Sequence, residues 1–109
     1  MIINMLEDYV PESQEVDMEM IKKSANFRKK RYVDAVFVGE CVEKNRNGKG
    51  VMRYRTGRVY EGDWLNDLRH GHGYERYANN NVYFGSFETG KAHGQGHYTW
   101  NHSGEIYDG

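Results

Sequence analysis

Tyr60-Glu61-Gly62-Asp63-Trp64, then His70-Gly71-His72-Gly73 and Tyr77, is one statement of a phrase that this chain writes three times. Its opening, aromatic-x-Gly, stands at Phe37-Val38-Gly39, Tyr60-Glu61-Gly62 and Tyr83-Phe84-Gly85, so the glycines at 39, 62 and 85 keep a constant step of 23. A second beat holds the same step at Gly48-Lys49-Gly50, Gly71-His72-Gly73 and Gly94-Gln95-Gly96, and each is followed four residues later by Tyr54, Tyr77 or Trp100. The last three residues, Tyr107-Asp108-Gly109, open a fourth copy one residue late. A fixed period of this length marks a stacked repeat architecture, in which an array surface, before any active site, is the place to look for function.

Within the opening phrase Tyr60, Gly62 and Trp64 lie at i, i+2 and i+4, which on a strand places all three on one face and Glu61 and Asp63 on the other. Gly71, Gly73 and Tyr77 share a parity in the second half, while His72, Tyr74 and Arg76 take the opposite one. Turn formers separate the halves at Asn66-Asp67-Leu68-Arg69-His70 and Thr89-Gly90-Lys91-Ala92-His93. Each copy therefore reads as a β-hairpin. Turns at Arg55-Thr56-Gly57, Ala78-Asn79-Asn80 and Asn101-His102-Ser103-Gly104 join one hairpin to the next in a meander. Glycine weakens a strand interior, so its recurrence on the aromatic face calls for a reason, and room for rings to lie across a neighbouring backbone supplies one. The repeat-defining positions are Gly39, Gly48, Gly50, Gly62, Gly71, Gly73, Gly85, Gly94, Gly96 and Gly109.

The phrases Tyr60-Glu61-Gly62-Asp63-Trp64, His70-Gly71-His72-Gly73 and Gly90-Lys91-Ala92-His93-Gly94-Gln95-Gly96 resemble MORN repeats, and the resemblance spans Phe37 to Gly109. It implies an all-β fold, a single-layer twisted antiparallel array of hairpins. It also implies no catalytic activity in the array itself, which would serve as a scaffold or partner-binding module in cytoskeletal, ciliary and cortical proteins, with membrane association often proposed. The first copy departs from the pattern. Cys41 stands where Trp64 and Phe87 stand later, and Asn47 stands where His70 and His93 do, so copy one reads as a degraded end repeat. Asp67 replaces the loop glycine seen as Gly90.

All the glycines and histidines lie after Val38. That shift sets a boundary near Asp34 to Val38 and divides the chain into an extension, 1–36, and a repeat ribbon, 37–109. A hydrophobic fraction of 38% is low for a thick core, while 14% aromatic residues say that a few large rings supply the buried area. No apolar run approaches the roughly 20 residues of a membrane-spanning helix, and the N-terminus lacks the pattern of a secretory signal. With a lone Cys41 and no internal disulfide possible, an intracellular, cytoplasmic chain is expected. A net charge of −1 gives no case for nucleic acid.

In the extension, Ser13 to about Arg31 reads as a short helix, with Ser13 as N-cap, acidic residues first and cations last. Packing of this helix against the Phe37 hairpin as a cap, docking to a partner, and membrane-surface binding through Lys22, Lys23, Arg28, Lys29, Lys30 and Arg31 are three readings of it. A peripheral membrane or phosphoinositide-binding module is accordingly the alternative to a protein scaffold. A regulatory fragment of a larger enzyme is a third possibility, because the family is also found appended to catalytic domains.

Chemistry is hard to find. His70-Gly71-His72 and His93-Gly94-Gln95-Gly96-His97 have a spacing that can converge on zinc, but they recur as part of a loop-to-strand junction, and neither metal nor cofactor is expected. Gly48-Lys49-Gly50 and Gly90-Lys91 lack the longer phosphate-loop pattern. Ser24, Ser86 and Ser103 have no nucleophile motif, and Glu61, Asp63 and Glu88 alternate outward as solvated charges do. The candidate partner-binding residues are the aromatics Tyr54, Tyr60, Trp64, Tyr77, Tyr83, Phe87 and Trp100, read either as stacking alone or as stacking with one exposed edge that forms a groove. The expectation is a non-enzymatic scaffold with protein partners in a multi-subunit assembly, able to self-associate through its open C-terminal edge strand.

Overall fold

The structure, a computed structural model, describes residues 9–99 and the backbone of 106–108. Eight antiparallel strands form one sheet in chain order, β1 (Phe27–Arg31), β2 (Ala35–Val42), β3 (Asn45–Tyr54), β4 (Val59–Leu65), β5 (Leu68–Arg76), β6 (Val82–Glu88), β7 (Lys91–Thr99) and β8 (Ile106–Asp108). The repeats form hairpins β2–β3, β4–β5 and β6–β7, as the period predicts. Their turns are tighter than the sequence suggests. Asn66-Asp67 and Thr89-Gly90 take left-handed φ at both positions, 49° and 71°, then 52° and 80°. Those are two-residue hairpin turns of the twist-matching kind, so the strands resume at Leu68 and Lys91. Each tip also bonds to the copy before it, Asp67 N–H to the Arg46 carbonyl (3.0 Å) and Gly90 N–H to the Arg69 carbonyl (2.9 Å).

A bulge recurs with the repeat, between Gly39 and Cys41, Gly62 and Trp64, and Gly85 and Phe87. It brings a bulge carboxylate onto the facing strand, where Glu40 accepts from Lys49 N–H (2.9 Å) and Asp63 from His72 N–H (3.0 Å). Gly71 faces the second of these at φ 66°, a left-handed backbone that glycine tolerates.

The extension differs most from expectation. Its helix, α1, spans only Met18–Lys23, and its N-cap is Asp17, not Ser13, with the Asp17 carboxylate accepting from Glu19 and Met20 N–H. Phe27–Arg31, assigned to the helix from its pattern, is strand β1, paired with β2 from Phe27 opposite Glu40 to Arg31 opposite Val36. The open edge of β2 offers a row of ladder bonds that outweighs the helix propensity of Arg28 to Arg31. The sheet therefore starts ahead of residue 37 and is capped there by a strand. Meanwhile α1 packs Met18 and Ile21, with Val16, against Val38, Val51 and Val59. Those valines belong to the Phe37 hairpin and its neighbour, on the face opposite the Phe37 ring, so both faces of the sheet carry a core.

Candidate partner-binding surfaces

On the first face the opening rings of the three full copies each lie over a glycine of the next strand. Phe37 lies over Gly50, Tyr60 over Gly73 and Tyr83 over Gly96, and a methyl group built on the last two glycines would meet ring carbons at 2.6 Å. The Tyr60 hydroxyl donates to the Asp63 carbonyl (2.8 Å) and that of Tyr83 to the Ser86 carbonyl (3.0 Å), bonds that Phe37 cannot make. Trp64 and Phe87 fill the spaces between rings edge to face, at centroid distances of 5.4 Å (Phe37–Trp64), 5.1 Å (Tyr60–Trp64), 5.0 Å (Tyr60–Phe87) and 5.3 Å (Tyr83–Phe87). Each such contact is worth about 0.5–1.5 kcal/mol beyond its buried area. Cys41 holds the equivalent place in copy one, also buried.

Arginines roof this ladder. Arg46 lies 4.7 Å from the Trp64 ring and bonds to Asp67 (2.9 Å), and Arg69 lies 5.6 Å from Tyr60 and 5.4 Å from Phe87 while it bonds to Glu75 (2.7 Å). Tyr60, Trp64, Tyr83 and Phe87 are therefore buried, and as candidate partner-binding groups they are corrected to internal ones: the ladder consumes their surface. Tyr54 and Tyr77 remain half-buried at its margin, with Arg58 between them at 5.3 and 5.7 Å and Tyr98 stacked on Tyr77 at 5.8 Å. Arg58 also bonds to buried Glu75, and burial, with Glu75 nearby, pushes the Tyr77 hydroxyl up to about 12. Trp100 and Gly109 lie outside the described residues.

The second face overturns the reading of Glu61 as a solvated charge. Glu61 is 0% exposed, because residues 9–15 cross over it as a strap that bends at 12–15. One carboxylate oxygen accepts from the Tyr9 hydroxyl (2.6 Å) and Glu12 N–H (2.7 Å), the other from Ser13 N–H (2.8 Å) and the Ser13 hydroxyl. Two consecutive backbone donors thus meet a side chain in place of a ladder. The strap answers with its own acids. Glu12 accepts from Arg76 through both oxygens (2.8 Å each) and from the Tyr74 hydroxyl (2.8 Å), and Glu15 faces His72 Nδ1 at 2.9 Å. Tyr9 additionally lies under Arg53 at 5.2 Å.

These bonds give the strap a pH window. The Arg76 hydrogen bonds hold the Glu12 carboxyl below its ordinary 4.5, so its contribution is present above that value and is lost as pH falls through the lower folded value. Burial, then Glu61 for Tyr9 and Glu12 for Tyr74, raises both hydroxyls above their ordinary 10.0, so their contribution is present below that value and is lost on the alkaline side. Amide protection at Glu12 and Ser13, corrected for intrinsic exchange, is expected to fall between about pH 6 and about pH 3. Constant protection over that range would count against this account.

The cations of the extension are divided between the helix and the two sides of β1. Lys22 and Lys23 end α1, and in β1 the alternation puts Arg28 and Lys30 on the aromatic side and Lys29 and Arg31 on the other. Lys30 bonds to the Lys44 carbonyl and Arg28 to that of Phe27 (2.7 Å). Among the described residues no group of three or more potential metal ligands comes together; His93 pairs with Glu88 (3.1 Å), and His72 packs against Phe84 at 5.0 Å.

A family model for the MORN repeat matches residues 37–57, 60–82 and 83–101, more than half of the chain. No match is found among curated proteins. The first segment covers most of β2–β3, and the other two begin at the rings of Tyr60 and Tyr83 that lie over the glycines of the strands after them. In sequence, period and fold, the chain belongs to the MORN-repeat family.

Proposed function

We propose that this chain is a non-enzymatic scaffold module that binds protein partners within a larger intracellular assembly, of the cytoskeletal or ciliary kind that the family resemblance implies. Repeats of this family generally mediate protein or membrane-lipid interactions. The observation that carries the protein reading is the margin formed by Tyr54, Arg58, Tyr77 and Tyr98, the part of the aromatic face left half-exposed. Tyrosine and arginine dominate binding energy at protein interfaces, and Arg58 is already pinned by Glu75, so less rotamer freedom is lost on docking. A lipid surface finds less support, since β1 divides its cations between two faces.

Affinity purification of the tagged full chain from its native cell, with crosslinking through Lys22, Lys23 or Lys91, tests the reading. The Tyr54→Ala/Tyr77→Ala variant is expected to keep its strand signal in circular dichroism and lose captured partners about tenfold or more. Full capture by the folded variant would remove the margin from the interface, and recovery with lipid alone would replace the protein reading.

A further inference from the structure

The second face of the sheet already holds a peptide, the strap of residues 9–15, and the manner of holding says what else would fit. Glu61 grips two consecutive backbone N–H groups, which the bends at 12–15 turn to the same side, so any segment able to take that bent course presents them. Selectivity enters through the side chains: a hydroxyl at Ser13 reaches Glu61, and a carboxylate one residue earlier, at Glu12, meets Arg76 and Tyr74. A second carboxylate two residues after the hydroxyl, at Glu15, meets His72. Arg53 and Arg76, on either side of Glu61, give this part of the sheet cations that an acidic segment complements.

The strap does not use the whole surface. It covers the first and second copies, and a groove of about 460 Å³ continues beside Glu12, Ser13 and Gln14 onto Tyr74, Val82, Phe84, His97 and Thr99 of β5–β7. Phe84 is 37% exposed there, whereas Val38, at its place in copy one, is 6% exposed. Where the strap borders this apolar floor its own residue is Gln14, which gains little from it.

We propose that the second face is a site for acidic peptides that take the bent course of residues 12–15, occupied in cis by the strap, and that a partner segment of the pattern acid–hydroxyl–apolar–acid exchanges with it. Such a segment would repeat the bonds of Glu12, Ser13 and Glu15 and add an apolar side chain over Phe84. Because the strap is tethered, it competes at high effective concentration, and the partner's apparent affinity is lowered by the fraction of molecules whose strap is docked. This site is separate from the aromatic margin, so either can fail without the other.

The test uses the full chain and two labelled synthetic peptides, one with the sequence of residues 9–17 and one with leucine in place of Gln14. Glu12→Ala/Ser13→Asp should free the strap, because it removes the Arg76 pair and sets a carboxylate against Glu61. Both peptides are expected to bind this variant about tenfold or more tighter than wild type, the leucine peptide tighter than its parent, and adding Arg76→Glu should abolish binding. A folded variant that binds no better than wild type, or binds a charge-reversed peptide with lysines for the glutamates equally well, overturns the proposal. Should the variant not fold, the leucine peptide titrated into wild type must shift the His72 and Phe84 resonances, and their failure to shift at saturating peptide overturns it as well.

Discussion

Gly73→Val is expected to lower the stability of the sheet by about 3 kcal/mol or more, toward the severe end of single-site effects. Backbone strain is not the cause, since Gly73 is not among the glycines with left-handed φ. The obstacle is the Tyr60 ring, whose Cε1 and Cζ lie 2.6 Å from where a Cβ would stand. Nor can the ring step aside. Trp64 and Phe87 hold its two sides at 5.1 and 5.0 Å, and its hydroxyl is bonded to the Asp63 carbonyl. The same place is crowded from across the ladder, where a Cβ on Gly62 would come within 2.6 Å of the Gly73 Cα. Valine there must displace the middle of a five-ring ladder, while valine at Gly57, with no heavy atom near its Cβ, meets only the left-handed backbone. A double-mutant cycle identifies the ring as the cause. In a Tyr60→Ala background the cost of Gly73→Val should shrink by about 1.5 kcal/mol or more. An unchanged melting temperature for the single variant refutes the prediction, and strict additivity in the cycle clears the ring of responsibility.

The hairpins, their faces and the rings over glycines were legible because each rests on a periodicity of one strand or one repeat. The remainder shows only when the copies are compared column by column. Positions 38, 61 and 84 hold Val38, Glu61 and Phe84, and positions 52, 75 and 98 hold Met52, Glu75 and Tyr98. In both columns the second copy places a glutamate between apolar neighbours, and both glutamates are buried. Within one strand Glu61 looks like an ordinary outward charge; only the column shows that its face is apolar, and only the fold brings Tyr9 and Ser13 to it from about 50 residues away. Strand β1 was hidden for a related reason. Phe27-Arg28-Lys29-Lys30-Arg31 carries no repeat and little strand propensity, and its conformation is decided by the open edge of β2. Tyr54, Tyr60, Trp64, Tyr77, Tyr83 and Phe87 share one face, as their spacing implies, but which of them stay exposed depends on Arg46, Arg58 and Arg69, whose reach across the rings spacing does not reveal.

Glu61→Leu is expected to release the strap while leaving the sheet folded. The substitution removes the acceptor of four hydrogen bonds from residues 9–13, and a strap that stayed in place would bury the Tyr9 hydroxyl and the Glu12 and Ser13 N–H groups without partners. Orphaned buried donors cost about 1–3 kcal/mol each, so leaving is the cheaper response. The sheet itself loses little, because leucine suits a column otherwise filled by Val38 and Phe84, and replacing a buried charge with an apolar group of similar size is often neutral or favourable. Loss of about 3 kcal/mol of docking corresponds to roughly a hundredfold loss of amide protection at Glu12 and Ser13, with protection across β3–β5 held. The contacts of Val16, Met18 and Ile21 with Val38, Val51 and Val59 lie beyond the strap's anchor and should keep α1 in place. Equal loss of protection in strap and sheet would mean that Glu61 supports the fold as a whole, and unchanged protection at Ser13 would mean that Glu12 and Glu15 hold the strap without it.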